Sequence, residues 1–472
     1  MSGIDDLLEP FYRAEKPRSA WCVGVEAEKF GVYADTGLAL TYEGERGVKA
    51  IFNELCDRRG WSEEREYPGG EVIALRRGDS SISLEPAAQL EFSSAPYATL
   101  HGLCRAFRGH MQELQQLSNA LGVVWLGLGF HPFARQTELD WVPKLRYGIM
   151  REYLPTRGAR ALDMMRRTAT VQANFDYQNE ADAIRKLRVA LAIQPVVSAM
   201  FANSPFIEGR IGTRLSERAA VWLEVDPDRC GIMPFAWEED FSYRKYVEWA
   251  LDVPMFLVKR GDRVVKNTGQ TFRSFIEEGF QGERATRADW AAHLGSLFPE
   301  VRLRNTIEVR GADAQSISLV CALPALWKGI LYDDRALGEA ERLVSGLTAQ
   351  EVQRARPEIA RIALRARLAG RLVLEWALQV VEIADQGLQR LRCLNSQGED
   401  ETIHLARLRR LIADARTPAE ALLARFNPAI DIKNQLIEHA SHPSAKIESD
   451  PWMPSDLGLD QICDCCGTAI SP

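Results

Sequence analysis

The chain lacks most of the features that would assign it quickly to a class. No stretch approaches the roughly eighteen uninterrupted apolar residues of a membrane span, and the amino terminus, MSGIDDLLEPFYRAEK, has no basic region followed by an apolar run. The expectation is a cytoplasmic protein with no membrane partner. Positive charge is not in excess: 58 Lys plus Arg stand against 65 Asp plus Glu, a formal net charge of -7. That balance argues against nucleic acid as a partner and favours small molecules. Cysteine is scarce too, since nine in 472 residues are too few and too scattered for a disulfide framework. Cys22, Cys56, Cys104, Cys230, Cys321 and Cys393 sit in mostly apolar surroundings and are expected to be reduced core residues. There is no GxxxxGK[ST] phosphate loop, and no internal repeat or low-complexity linker. One integrated unit is expected.

What is present is a folded, mixed chain, 46% hydrophobic and 26% charged. From Trp21 to about Arg310, short β-like runs alternate with helical patterns. From Ala322 to about His439, apolar residues recur at helical spacing, as in LAGRLVLEWALQVVEIADQGLQRL. The reading is an α+β catalytic domain over residues 1–440, with the sheet in 21–320 and a helical layer in 321–440. Residues 441–472 are expected to form a mobile tail carrying Cys463, Cys465 and Cys466, to which no function is assigned.

The chemistry emerges when the period of two is applied to the strand candidates. In WCVGVEAEKF, Val23, Val25 and Ala27 share one face while Glu26 and Glu28 share the other. In RRTATVQANFD the even positions Thr168, Thr170, Gln172, Asn174 and Asp176 are polar. In VRLRNTIEVRGAD the even side carries Arg302, Arg304, Thr306, Glu308 and Arg310. SISLEPAAQLEFSSAP places Glu85, Gln89 and Glu91 on one parity, and Pro86 suggests an edge strand or a bulge. A solvated strand face is usually built from Lys, Glu and Thr. These faces carry Glu, Gln, Asn and Arg, hard oxygen ligands for Mg²⁺ or Mn²⁺ beside donors for phosphate or carboxylate. None of the seven histidines lies in these segments, which makes a histidine zinc site or a Ser-His-Asp triad improbable.

Taken in order, GVEAEKFG, ISLEPAAQLEFSSAP, LGLGFHP, VPKLRYGIMREYLP, LDMMRRTATVQANFD, ALAIQPVVSAMFANSPFIEGR, WALDVPMF, FPEVRLRNTIEVRGAD and CALPALWKGILYD resemble the glutamate-cysteine ligases shared by plants and many proteobacteria, within the glutamine synthetase-like carboxylate-amine ligases. The resemblance runs from about residue 20 to residue 335. It implies a curved antiparallel sheet forming a funnel floor wrapped by helices. It also implies ATP-dependent amide formation, in which the γ-carboxylate of glutamate is phosphorylated and the amine of cysteine displaces the phosphate. Glu26, Glu28, Glu85, Glu91 and Glu308 are then the expected metal ligands, with Gln172 and Asn174 as neutral ligands or orienters. Arg310, with Glu308, is the expected catalytic pair at the transferring phosphoryl group. Arg218, with Trp222 close by, is expected to bind the substrate α-carboxylate. Partners are glutamate, ATP and an amino-acid or amine acceptor, bound by a monomer or homodimer.

The chain also departs from the family pattern. A Thr and a His of the family's GTEHEKFG are replaced by Val25 and Ala27, and a cysteine by Ala169. The family's Gly-Pro-Trp is replaced by Gln315, Ser316 and Ile317, and its Ser-His-Ile-Trp-Thr by Ala219 through Leu223. The last change leads to the expectation of a more apolar acceptor pocket near Ala219, Ala220 and Leu223, and of an alternative in which a less polar amine replaces cysteine. A third reading is a non-catalytic binding homologue on the same fold.

Overall fold

The alternation in WCVGVEAEKF is realised in β1 (Val23–Tyr33), where Val23, Val25 and Ala27 are buried and Glu26 and Glu28 point to the opposite face. The computed structural model describes residues 3–261, 263–427 and 430–441. Apart from Ser441 the tail 441–472 lies outside the described residues, and with it Cys463, Cys465 and Cys466. β1 is joined by β2 (Ser62–Arg65), β3 (Val72–Arg77), β4 (Ser80–Leu84), β5 (Leu90–Ser93), β6 (Val123–Leu126), β7 (Thr170–Phe175), β8 (Val301–Leu303) and β9 (Ile307–Asp313). Together they form one nine-stranded sheet in the order β8-β9-β7-β1-β5-β4-β3-β2, with β6 pairing the far end of β1. All its pairings are antiparallel, as the family resemblance implies.

Two segments that read as single strands are hairpins. The SISLEPAAQLEF segment folds back between β4 and β5, so Pro86 marks neither an edge strand nor a bulge. It takes the second position of a tight turn, where its fixed φ suits the geometry and its missing N–H is not needed. The Ala88 N–H closes that turn on the Glu85 carbonyl at 3.0 Å, with Ala88 itself left-handed at φ 64°. Gln89 then docks the turn, donating from Nε2 to the carbonyls of Met165 and Thr168. The VRLRNTIEVRGAD segment folds back between β8 and β9 with Arg302 opposite Glu308. Even faces even across this hairpin, so the parity survives the reversal.

The apolar face of the sheet meets helices. α1 (Leu100–Ala120) packs on β1 and β6. Beyond the site come α2 (Leu145–Tyr153), α3 (Ala161–Arg167), α4 (Glu180–Met200), which lies against β9, α5 (Glu217–Val221) and α6 (Arg287–Leu294). In the expected helical layer, α7 (Ala322–Leu331) backs β7 and β1 and is covered by α9 (Val373–Leu391), while α8 (Ala349–Ile362) packs on α4 and α5, with only two-residue strand pairings nearby among the described residues. Val23, Val25, Val171 and Phe175 are 0–1% exposed in this layer, and each such side chain contributes about 1.5–3 kcal/mol through burial. Cys104 of α1 and Cys321, just before α7, are joined in a disulfide, with Cα atoms 6.0 Å apart and a sequence separation of 217. The expectation of a reduced pair is therefore wrong here. Two helices brought together behind one sheet place cysteines distant in sequence at bonding range, which spacing alone does not reveal. Cys56 and Cys230 are free thiols, and Cys22 and Cys393 are half-buried.

α7 and α9 approach at glycines. A Cβ on Gly387 would stand 1.9 Å from the Gly329 carbonyl oxygen, and one on Gly329 would stand 2.2 Å from that of Ala384. Backbone cannot yield as a side chain can, so Gly387→Ala is expected to destabilise the protein by about 1–3 kcal/mol or more. Denaturant unfolding checks this, and a midpoint equal to that of the parent would show that the two helices separate at no cost.

Candidate active site

Register turns the alternating polar faces into rows. Arg302 lies opposite Glu308 and Glu308 opposite Asn174. Gln172 lies opposite Glu26, and Glu26 opposite Ser93. Glu28 lies opposite Glu91, and Glu91 opposite Ser83. These rows floor a cavity of about 640 Å³, of the size that takes a nucleotide-like ligand. Its walls come from the Glu85 turn, α2, α3, α5, the hairpin of 257–266, the carboxyl end of α6 and the β8–β9 arm.

Each floor carboxylate is held differently. Glu26 accepts at 2.9 Å from Asn174 Nδ2, whose Oδ1 in turn accepts from Thr306 Oγ1. Glu28 accepts the Thr170 N–H at 2.9 Å. Glu91 accepts the hydroxyls of Ser83 and Ser93 at 3.1 and 3.2 Å. None of these partners is cationic. Burial, followed by the charges of Glu308 and Glu91, pushes Glu26 up to about 8. Burial with Glu85 and Glu91 drives Glu28 well above the ordinary carboxylate range, and burial with Glu85 raises Glu91. Glu308 goes the other way. Burial alone would raise it, but Arg302 and Arg310 outweigh that and hold it at about 2. Arg302 grips it through Nε and Nη2 at 3.0 and 2.8 Å, and Arg310 bonds both Glu308 and Gln172.

The cavity thus gathers Glu26, Glu28, Glu85, Glu91, Gln172, Arg218, Trp222 and Arg310 from the expected set. Asn174 and Glu308 are not in its lining. Asn174 orients Glu26, and both Glu308 oxygens are engaged by guanidinium groups, so as placed Glu308 anchors arginines instead of facing a cation. Among the described residues, no three acidic, histidine or cysteine side chains are gathered closely enough to cage a metal ion unaided. Ala219, Ala220 and Leu223 also lie outside this cavity. Ala219 and Leu223 border a small separate cavity behind Arg218 and Trp222, and Ala220 is buried. The expected apolar acceptor pocket at these three positions is not formed by the main cavity, because the short helix α5 turns only Arg218 towards it and the turn after it only Trp222. Val25 and Ala27 sit in the core behind the sheet.

Parity missed several residues. Between Val309 and Ala312 the β9–β7 register shifts by one, a bulge that moves the polar face from even to odd positions. Asp313 consequently joins that face, accepting from Ser204 Oγ at 2.6 Å, Ser216 Oγ at 2.8 Å and the Asn203 N–H at 2.8 Å. Arg146 of α2 lines the cavity beside Tyr147. Lys144 donates to the Leu84 carbonyl, and burial with the nearby Arg146 pushes it down to about 8. Both lie in a loop and helix start without strand periodicity; the only sequence signal was a Lys and an Arg within an otherwise apolar VPKLRY. An upper wall of Met150, Met164, Met165, Met255, Phe256 and Val264 comes from elements that parity does not address.

The raised carboxyls make a test of cation binding. Below pH 8 Glu26 carries a proton in the metal-free cavity, and a cation that uses it must displace that proton. Mg²⁺ affinity is expected to rise with pH up to about 8 and then level off, with proton uptake by the buffer on binding at pH 7. Titration calorimetry in two buffers of different ionisation enthalpy reads this directly. Identical heats in both would show that no proton is displaced from Glu26.

Comparison with known proteins agrees with the geometry. The sequence profile of glutamate-cysteine ligase family 2 matches residues 22–446. The chloroplastic glutamate-cysteine ligase of Brassica juncea is 38% identical over 426 residues, covering 90% of this chain and 81% of that protein. Glutamate-cysteine ligase B, chloroplastic, of Oryza sativa subsp. japonica is 38% identical over 422 residues, 89% of this chain and 83% of that one. Among solved structures, a glutamate-cysteine ligase from Francisella tularensis in complex with AMP superposes with a TM-score of 0.55 at 12% identity, over 89% of this chain and 87% of that one. At that identity the likeness speaks for the fold. Matched over most of its length by the profile and by relatives of this similarity, the chain belongs to glutamate-cysteine ligase family 2.

Proposed function

We propose that this protein joins the γ-carboxylate of glutamate to the amino group of cysteine, with cleavage of ATP to ADP and phosphate. The observation that carries this reading is the division of the cavity into two poles. One is a set of half-buried carboxylates, Glu26, Glu28, Glu85 and Glu91, with no cation hydrogen-bonded to them, and the other is a group of arginines, the buried Arg218 and Arg302 and the half-buried Arg310. A γ-carboxylate oxygen of glutamate attacks the terminal phosphorus of ATP, and the bond to the bridging oxygen breaks to release ADP. The cysteine nitrogen then attacks the acyl carbon of γ-glutamyl phosphate, loses a proton and expels phosphate.

Glu26, Glu28, Glu85 and Glu91 suit Mg²⁺, which usually takes only one or two protein carboxylates and completes its shell with phosphate oxygens. That habit accords with carboxylates that line one cavity without forming a cage. When bound, Mg²⁺ neutralises phosphate charge and aligns the transferring group. Arg310 stabilises charge on the moving phosphoryl group, and Glu308 and Gln172 fix its guanidinium. Arg218 is 4% exposed, and its Nη2 donates to the Arg310 carbonyl at 2.9 Å; its remaining terminal nitrogen is left for the α-carboxylate of glutamate. The departures at Ala219, Ala220 and Leu223 lie outside the main cavity, so the observation that favoured a less polar acceptor falls away.

The test is an assay with ATP, Mg²⁺, glutamate and a panel of amines. ADP and phosphate should appear in step with γ-glutamylcysteine, and cysteine should be preferred over 2-aminobutyrate and alanine. AMP and pyrophosphate as products would overturn the acyl-phosphate mechanism. Arg310→Lys should lower kcat by about 10²–10³-fold, the scale seen when a transition-state donor is removed.

A further inference from the structure

Behind Arg218, on the side away from the main cavity, a cavity of about 20 Å³ is bordered by Gln194 of α4 and by Arg218, Trp222 and Glu300. Three of these residues carry a buried polar atom with no hydrogen-bond partner: Arg218 Nε, Trp222 Nε1 and Gln194 Oε1. Buried orphans of this kind are rare in folded proteins, and three around one small space form a pattern. The orientation of the Gln194 amide follows from its neighbour. Ser198 Oγ donates its proton to the Gly311 carbonyl at 3.0 Å and can only accept from Gln194, which donates through Nε2 at 3.4 Å. Gln194 Oε1 is thereby left as an acceptor.

Two N–H donors and one carbonyl acceptor around a space large enough for one water are the complement of a water molecule. We propose that this cavity binds an ordered water that accepts from Arg218 Nε and Trp222 Nε1 and donates to Gln194 Oε1, its second hydrogen being available to the Glu300 carboxylate. The Arg218 guanidinium is then held at both ends, by the Arg310 carbonyl at Nη2 and by the water at Nε. Its plane is fixed towards the main cavity before substrate arrives. Gln194, which does not line the main cavity, becomes a positioning residue for the substrate carboxylate. This role rests on the reading of Arg218 as the glutamate-carboxylate ligand.

A crystal structure at a resolution that orders buried waters should show a density peak about 2.7–3.2 Å from all three atoms. Gln194→Met keeps the length of the side chain and removes the acceptor. It should raise KM for glutamate on the order of tenfold, as expected when a bond to a charged group is lost, with kcat and KM for ATP within about twofold. Gln194→Glu keeps an acceptor oxygen and should recover most of the glutamate KM, which a merely structural defect would not allow. If Gln194→Met does not fold, Trp222→Phe, which removes one donor, should weaken the peak and raise the glutamate KM in the same direction. A dry cavity in the parent, or an unchanged glutamate KM in a folded Gln194→Met, overturns the proposal. Arg218→Lys separates the two readings. If it binds glutamate as well as the parent, the carboxylate role of Arg218 fails, whereas a large loss there beside a silent Gln194→Met sinks only the positioning water.

Discussion

Two carboxylates on alternate residues of a strand stand about 7 Å apart, and in a cavity with little water between them they do not both stay ionised without a cation. That constraint governs Glu26 and Glu28, and through the sheet register it extends to Glu91, directly opposite Glu28. Their neighbours are an amide, a backbone N–H and two hydroxyls, groups that orient a carboxylate without neutralising it. A lysine or arginine in any of these places would stabilise the resting protein and weaken its hold on a cation. The raised proton affinities of Glu26, Glu28 and Glu91 record a site whose charge is left for a ligand to balance.

Glu308 shows the opposite solution on the same sheet. Its two arginines hold it ionised, and it in turn holds them close together, against the mutual repulsion of Arg302 and Arg310. The bulge after Val309 completes the arrangement. It places Arg310 where it meets Gln172 from the neighbouring strand, and Gly311 beside it leaves room for the side-chain ends of Gln194 and Glu300, since a Cβ there would stand 2.2 Å from Gln194 Nε2 and 2.6 Å from Glu300 Oε2. A cation-seeking pole and an anion-seeking pole thus share one floor, with polarity set strand by strand.

Much of that floor was legible in the sequence because it obeys a period of two. Glu26, Glu28, Gln172 and Arg310 could be placed on one face from parity, and folding back at Asn305 did not disturb this, since the hairpin pairs even with even. Parity could not tell a strand from a hairpin at Pro86. It failed at Asp313, where one inserted residue inverts the alternation, and it said nothing of whether Glu308 faces a cavity or an arginine pair. Those depend on partners far along the chain. Arg146, Lys144 and the methionine-rich wall were out of reach for the same reason, and so was the Cys104–Cys321 disulfide, which exists only because α1 and α7 cover the same face of the sheet.

The division between sheet and wall also bears on how such a cavity accommodates sequence change. Every residue of the floor is coupled to its neighbours by backbone pairing, so a shift in one strand would misplace carboxylates and arginines together. Replacements that spare the floor face are tolerated on the other side of the same strands, as Val25 and Ala27 illustrate by sitting in the core. The wall is different. It is assembled from the ends of α2, α3 and α6 and from the hairpin of 257–266, elements that are not paired into the floor and that contribute mainly apolar side chains. Selection among acceptors of different shape can therefore change there without altering the groups that handle phosphate. Differences on the far side of Arg218, at Ala219 and Leu223, act on the cavity only through the two side chains that α5 and the turn after it present to it.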